Sequence, residues 1–172
     1  MKTSSHHWVV TWVLIVLVAV HPVTVFSQTA DRSGVINIST LNDKPAGTSF
    51  TAGFVISGQP RRVLIRVVGR ELRNFGVADP VSDTRLNLHR EGTLIFGNDD
   101  WTVQSSIPGV ASSTADQIAE AAARCGAFPL DGAGNRISSA ILMTLQPGAY
   151  TVQAVNQSSA HGSMLLEVYE VP

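Results

Sequence analysis

The chain has 172 residues, a formal net charge of −1 and a pI near 6.5. Hydrophobic residues make up 44% and charged residues 15%, with 14 Gly and 8 Pro, which is a turn-rich globular composition and excludes a disordered or low-complexity chain. The length fits a single domain, the near-neutral charge points to no nucleic-acid partner, and a lone cysteine excludes an internal disulfide framework.

Residues 1–7 carry one Lys and no acid, and residues 8–20 form an uncharged, mostly apolar run stopped by His21 and Pro22. A spanning helix needs about 20 apolar residues, so this run is short for an anchor and has the shape of a signal peptide. Val25 and Ser27 stand where signal peptidase accepts small residues, which predicts cleavage after Ser27. Residues 1–27 are read as a signal peptide and 28–172 as a mildly acidic domain, exported to the periplasm, the outer surface or beyond, with no membrane span after cleavage. An uncleaved signal anchor or a buried strand pair is the alternative. No Cys lies near the cleavage site, so lipid attachment there is excluded. In an oxidising compartment Cys125 is either a small core residue, as Ala121, Ala122 and Ala123 beside it suggest, or a thiol available to another chain.

Along the domain, residues 35–39 alternate apolar and polar side chains, the period of a half-buried strand. Residues 41–48 read as a loop, and residues 50–57 return to β-type side chains to complete a hairpin-like pair. The run RVLIRVV at 62–68 predicts a third strand, ended by Gly69. Residues 86–89 and 93–96 flank Glu91-Gly92 as a tight hairpin. Thr114-x-x-Gln117 is a capping-box pattern that opens an Ala-rich helix over 115–125, with Gly126 placed to end it. Residues 137–145, 149–156 and 163–171 are three further strands, separated by turns at Gln146-Pro147-Gly148 and Ala160-His161-Gly162. Seven to eight strands, one short helix and no βαβ alternation predict an all-β fold, an antiparallel, jelly-roll-like β-sandwich.

Taken together, the segments Asn37-Ile38-Ser39-Thr40, Ala52-Gly53-Phe54-Val55-Ile56-Ser57-Gly58, Val63-Leu64-Ile65-Arg66-Val67-Val68-Gly69, Asn98-Asp99-Asp100-Trp101, Gly126-Ala127-Phe128-Pro129-Leu130, Pro147-Gly148-Ala149-Tyr150-Thr151 and Leu166-Glu167-Val168-Tyr169-Glu170-Val171 follow an ordered pattern. This pattern resembles a β-sandwich module of exported bacterial proteins that carries no assigned chemistry. The tail half, with its Asn-Asp-Asp turn and Leu-x-Pro-Gly-x-Tyr segment, is similar to the bacterial pre-peptidase C-terminal domain. The resemblance implies a non-catalytic sandwich and, for some pre-peptidase-like domains, bound calcium. One departure stands at Arg70-Glu71-Leu72, where the module usually continues with Pro after its Gly.

Asn98, Asp99 and Asp100 put three oxygen-bearing side chains on one turn, the donor type a calcium ion takes, although Asn and Asp also favour turns for backbone reasons. Arg61, Arg62, Arg66, Arg70 and Arg73 crowd one stretch; a polyanion-binding face is one reading, but strand alternation splits Arg61 from Arg62 and Arg66. Arg66, inside an apolar strand, is expected to be a buried guanidinium paired with a carboxylate or carbonyls. Trp101 is a candidate for stacking on a sugar, and equally for filling the inter-sheet space with Phe50, Phe54, Phe75, Phe96, Phe128, Tyr150 and Tyr169. The domain holds two histidines, His89 and His161, without a nucleophile elbow, a metal-binding His pair or a phosphate-cradling Gly-rich loop. The expected function is a secreted non-catalytic module contacting an extracellular protein, glycan or matrix, with no catalytic residue and no cofactor other than calcium. A calcium-stabilised carbohydrate-binding or adhesion domain and a small hydrolase using His89 or His161 are the alternatives. Exposed edge strands also make association with another exported chain a candidate role.

Overall fold

The computed structural model describes residues 37–104, 113–131 and 138–172. Eight strands, β1 (Asn37–Lys44), β2 (Ser49–Ile56), β3 (Arg61–Val68), β4 (Thr84–Arg90), β5 (Thr93–Asn98), β6 (Ser139–Leu145), β7 (Gly148–Asn156) and β8 (Gly162–Glu170), form two four-stranded sheets. Their orders are β1-β8-β3-β6 and β2-β7-β4-β5, and every neighbouring pair of strands is antiparallel. Successive strands cross from one sheet to the other except at the β4–β5 hairpin, which is the strand order of a jelly roll. A 3₁₀ helix (Arg70–Phe75) follows β3, and one α-helix, α1 (Ala115–Arg124), lies between β5 and β6 in the chain.

The inner faces of both sheets share one core: Val63, Ile65 and Val67 of β3 and Leu166 of β8 pack with Leu88 of β4 and Val152 of β7. A second core lies on the outer face of the β1-β8-β3-β6 sheet, where Ile118, Ala121 and Ala122 of α1 cover Leu64, Leu142 and Tyr169. Strand β3 is therefore buried on both faces. That explains its continuous apolar sequence in a sheet whose outer strand β1 alternates exposed and half-buried positions.

Local chemistry sets the turns. Thr114 accepts from the Gln117 N–H at 3.3 Å while the Gln117 side chain accepts from the Thr114 N–H at 3.0 Å, which satisfies two orphan donors at the start of α1. Gly126, with φ 71°, ends the helix as expected. Glu91 and Gly92 both have positive φ, 51° and 83°, as a two-residue hairpin turn requires if the strands are to keep their twist.

Three expectations are corrected. Residues 41–44, read as loop, continue β1, because Asn42 and Asp43 sit on an edge strand whose polar side chains reach water. β1 and β2 are not a hairpin. β1 pairs with β8 and β2 with β7, and the connection at 45–48 changes sheets, held by Gly47 N–H to Asn156 O and Asn156 N–H to Thr48 O, both 2.9 Å. Period-two alternation fixes which face is buried but not which strand lies alongside. Finally, the aromatics do not all fill the inter-sheet space: Phe96 and Tyr150 do, whereas Trp101 and Tyr169 belong to the core beneath α1 and Phe75 is 60% exposed. The expected strand positions 35, 36 and 137 and the leader 1–27 lie outside the described residues.

Candidate functional site

After β3, the chain turns at Gly69 into the 3₁₀ helix, whose start has no side-chain cap. Tertiary contacts hold it instead. Leu72 is buried, and so is Glu71, whose carboxylate accepts from the Ser138 hydroxyl and from the Asp131 N–H at 3.0 Å. A 3₁₀ helix has three residues per turn, so side chains three apart eclipse and Arg70 and Arg73 point the same way. They line one wall of an open polar cleft of about 460 Å³.

The other walls are the 80–83 loop and the 157–159 turn, which contribute Ser82, Gln157, Ser158 and Ser159. Both segments are fixed by hydrogen bonds. Val81 N–H donates to Ser163 O at 2.9 Å, Ser163 N–H to Asp79 O at 2.8 Å, and Gln157 N–H to Asp83 O at 2.9 Å. Gly162 allows this approach, since a Cβ there would lie 2.8 Å from Asp79 O. Asn156 is fully buried at the end of β7. Its amide donates to Lys44 O and Ala160 O, and its side-chain oxygen accepts from Ser158 N–H at 2.9 Å. The cleft is thus preformed by the scaffold.

A second, apolar recess of about 280 Å³ runs beside α1, lined by Trp101, Ile118, Ala122, Ala127, Pro129 and Leu130. Beneath it lies a buried polar network. Arg66 is fully buried; its Nε and Nη2 donate to Glu167 Oε2 at 2.9 and 2.6 Å, and its Nη1 donates to Phe128 O at 2.6 Å. The guanidinium also lies 4.6 Å from the Phe128 ring centre, and Tyr169 donates its hydroxyl to Glu167 Oε1 at 2.6 Å. Burial, the hydrogen bond to Glu167 and that carboxylate's charge push the Tyr169 hydroxyl well above its ordinary pKa. Burial likewise raises Cys125, although Arg66 pulls it down; its thiol is half-buried and points at Glu170 O, 3.7 Å away.

The structure disperses the other candidates. Trp101 is 8% exposed and its indole N–H donates to Asp131 O at 3.0 Å, so one edge of the ring is tied to the chain while the residue lines the apolar recess. Asn98 is buried, its amide donating to Asp100 O and Val103 O and its oxygen accepting from Ala140 N–H at 3.1 Å. Asp99 is exposed and Asp100 half-buried on the same turn. Among the described residues, no group of three or more His, Cys, Asp or Glu side chains is placed to hold a metal ion. His161 lies 3.3 Å from Asp43 on the surface, while His89 sits on β4 in the other sheet. The arginine stretch divides: Arg61 pairs with Glu170 at 3.3 Å, Arg66 is interior, Arg62 is exposed by α1, and Arg70 and Arg73 share the cleft. Sequence reading passed over Ser82 and Gln157-Ser158-Ser159, whose one signal was the polar turn after β7.

No protein-family profile and no curated protein matches the chain. Among solved structures it is similar to the pre-peptidase C-terminal domain of a collagenase from Bacillus anthracis, with 13% identity, 77% of this chain and 89% of that chain covered, and a TM-score of 0.41.

Proposed function

We propose that the protein is an exported, non-catalytic jelly-roll module that contacts a glycan or protein outside the cell through loops at one end of its sandwich. The observation that carries this reading is the preformed polar cleft between the 3₁₀ helix, the 80–83 loop and the 157–159 turn. Its volume falls within the range of about 300–1,000 Å³ in which binding sites occur. Loops positioned by a rigid scaffold are where binding surfaces concentrate. The buried polar side chains support the same division of labour, since Arg66, Glu71, Asn98, Asn156 and Glu167 are all engaged in holding segments of the fold together.

The test is an array of neutral and acidic glycans and matrix proteins probed with the purified chain and with a His89→Ala, His161→Ala double variant. Saturable retention by one ligand class, equal in the two proteins, is expected. Retention by none, or turnover of a ligand that the double variant abolishes, would overturn the proposal.

A further inference from the structure

Arg70 and Arg73, like Arg62, have no side-chain partner among the described residues, but these two share one cleft. Arg61, Arg66, Arg85, Arg90 and Arg124 each hold a carboxylate, a carbonyl or a side-chain amide oxygen. Among the described residues, Arg70 and Arg73 hold none, and the side chains of Ser82, Gln157 and Ser159, which line the same cleft, have no hydrogen-bond partner there either. Two guanidinium groups eclipsed on one helical face repel each other, and an oxyanion between them relieves that repulsion while matching their planar forks. The hydroxyls and the amide around them supply neutral donors and acceptors of the kind that pair with sugar hydroxyls.

We propose that this cleft binds the carboxylate or sulfate of an acidic glycan, with Arg70 and Arg73 on the oxyanion and Ser82, Gln157 and Ser159 on neighbouring hydroxyls. The inference rests on the contact-module reading and names its ligand class. A short acidic glycan fits better than a nucleic acid because two arginines fall short of the run of phosphate contacts through which nucleic-acid binders gain affinity.

Calorimetric titration of the full chain tests this with tri-galacturonate and a heparin hexasaccharide, which separate carboxylate from sulfate as the source of the charge. Cellohexaose, inorganic sulfate and a single-stranded DNA oligomer complete the set. Saturable binding of at least one acidic oligosaccharide is expected, weakening with added salt. The Arg70→Gln, Arg73→Gln double variant should lose about tenfold or more in affinity, the scale of one charge-assisted contact, while Arg62→Gln binds as the parent does. Both cleft arginines are exposed and hold no partner among the described residues, so the variant's melting temperature should match the parent's and certify its fold. No acidic binding, equal binding of cellohexaose, binding of inorganic sulfate alone, preference for DNA, or undiminished binding by the double variant would each overturn the inference. Retention of a neutral glycan or a protein on the array would then leave the contact-module reading standing, whereas silence there as well would remove both.

Discussion

Arg66 is the largest fully buried side chain among the described residues, and its charge is matched by the carboxylate of Glu167, directly opposite it on the adjacent strand β8. A buried ion pair contributes little net stability relative to an apolar replacement, but breaking one side strands the other charge in a low-dielectric interior. Arg66→Ala and Glu167→Ala are each expected to cost about 3–5 kcal/mol in urea unfolding. Arg66→Ala also frees the carbonyl of Phe128, and with it the segment that runs over the second core. Tyr169 gives a pH test on the same network. Its hydroxyl titrates higher in the folded chain than in the unfolded one, so the bond to Glu167 contributes fully below about pH 10 and is lost as pH rises through the raised folded value. The urea midpoint of the parent should fall more steeply above about pH 10 than that of Tyr169→Phe, in which no hydroxyl titrates. Equal slopes would show that Tyr169 is not coupled to folding. Arg66 was legible in sequence because a guanidinium inside an apolar strand has to be paired. Glu167 was not, because it stands 101 residues away and only the β3–β8 register joins them.

At the scale of elements, what could be read was what is decided locally. The capping box at Thr114 and Gln117, the Ala-rich interior of α1 and Gly126 at its end are all set within a few residues, and α1 forms where expected. Thr114→Ala removes the acceptor for the Gln117 N–H and should cost about 1 kcal/mol, a fall of about 3 °C in melting temperature. The 3₁₀ helix at Arg70–Phe75 has no such signature. It starts without a side-chain cap and is held by Glu71 to Ser138 and to Asp131 N–H, groups some sixty residues on. The strongest candidate binding residues are carried by this helix, so the arginine cluster was visible in the sequence but its division was not. Nothing local distinguishes Arg61, which meets Glu170, from Arg70 and Arg73, which meet the cleft.

At the scale of the whole molecule, alternation along the strands identified an all-β sandwich, yet the order β1-β8-β3-β6 and β2-β7-β4-β5 depends on pairings such as Asn37 with Tyr169, across nearly the whole described chain. Such pairings also place the 80–83 loop beside the β7–β8 turn and so create the cleft, which is why Ser82 and Ser159 carried no signal as single residues. The proposed contact with a glycan outside the cell requires that the domain leave the cytosol, so the account depends first on export. Intact-mass measurement of the chain recovered from each cell fraction tests this most directly. The account predicts a species in the extracytoplasmic fraction that begins at Gln28. An uncut chain beginning at Met1 and confined to the cytosol would contradict it.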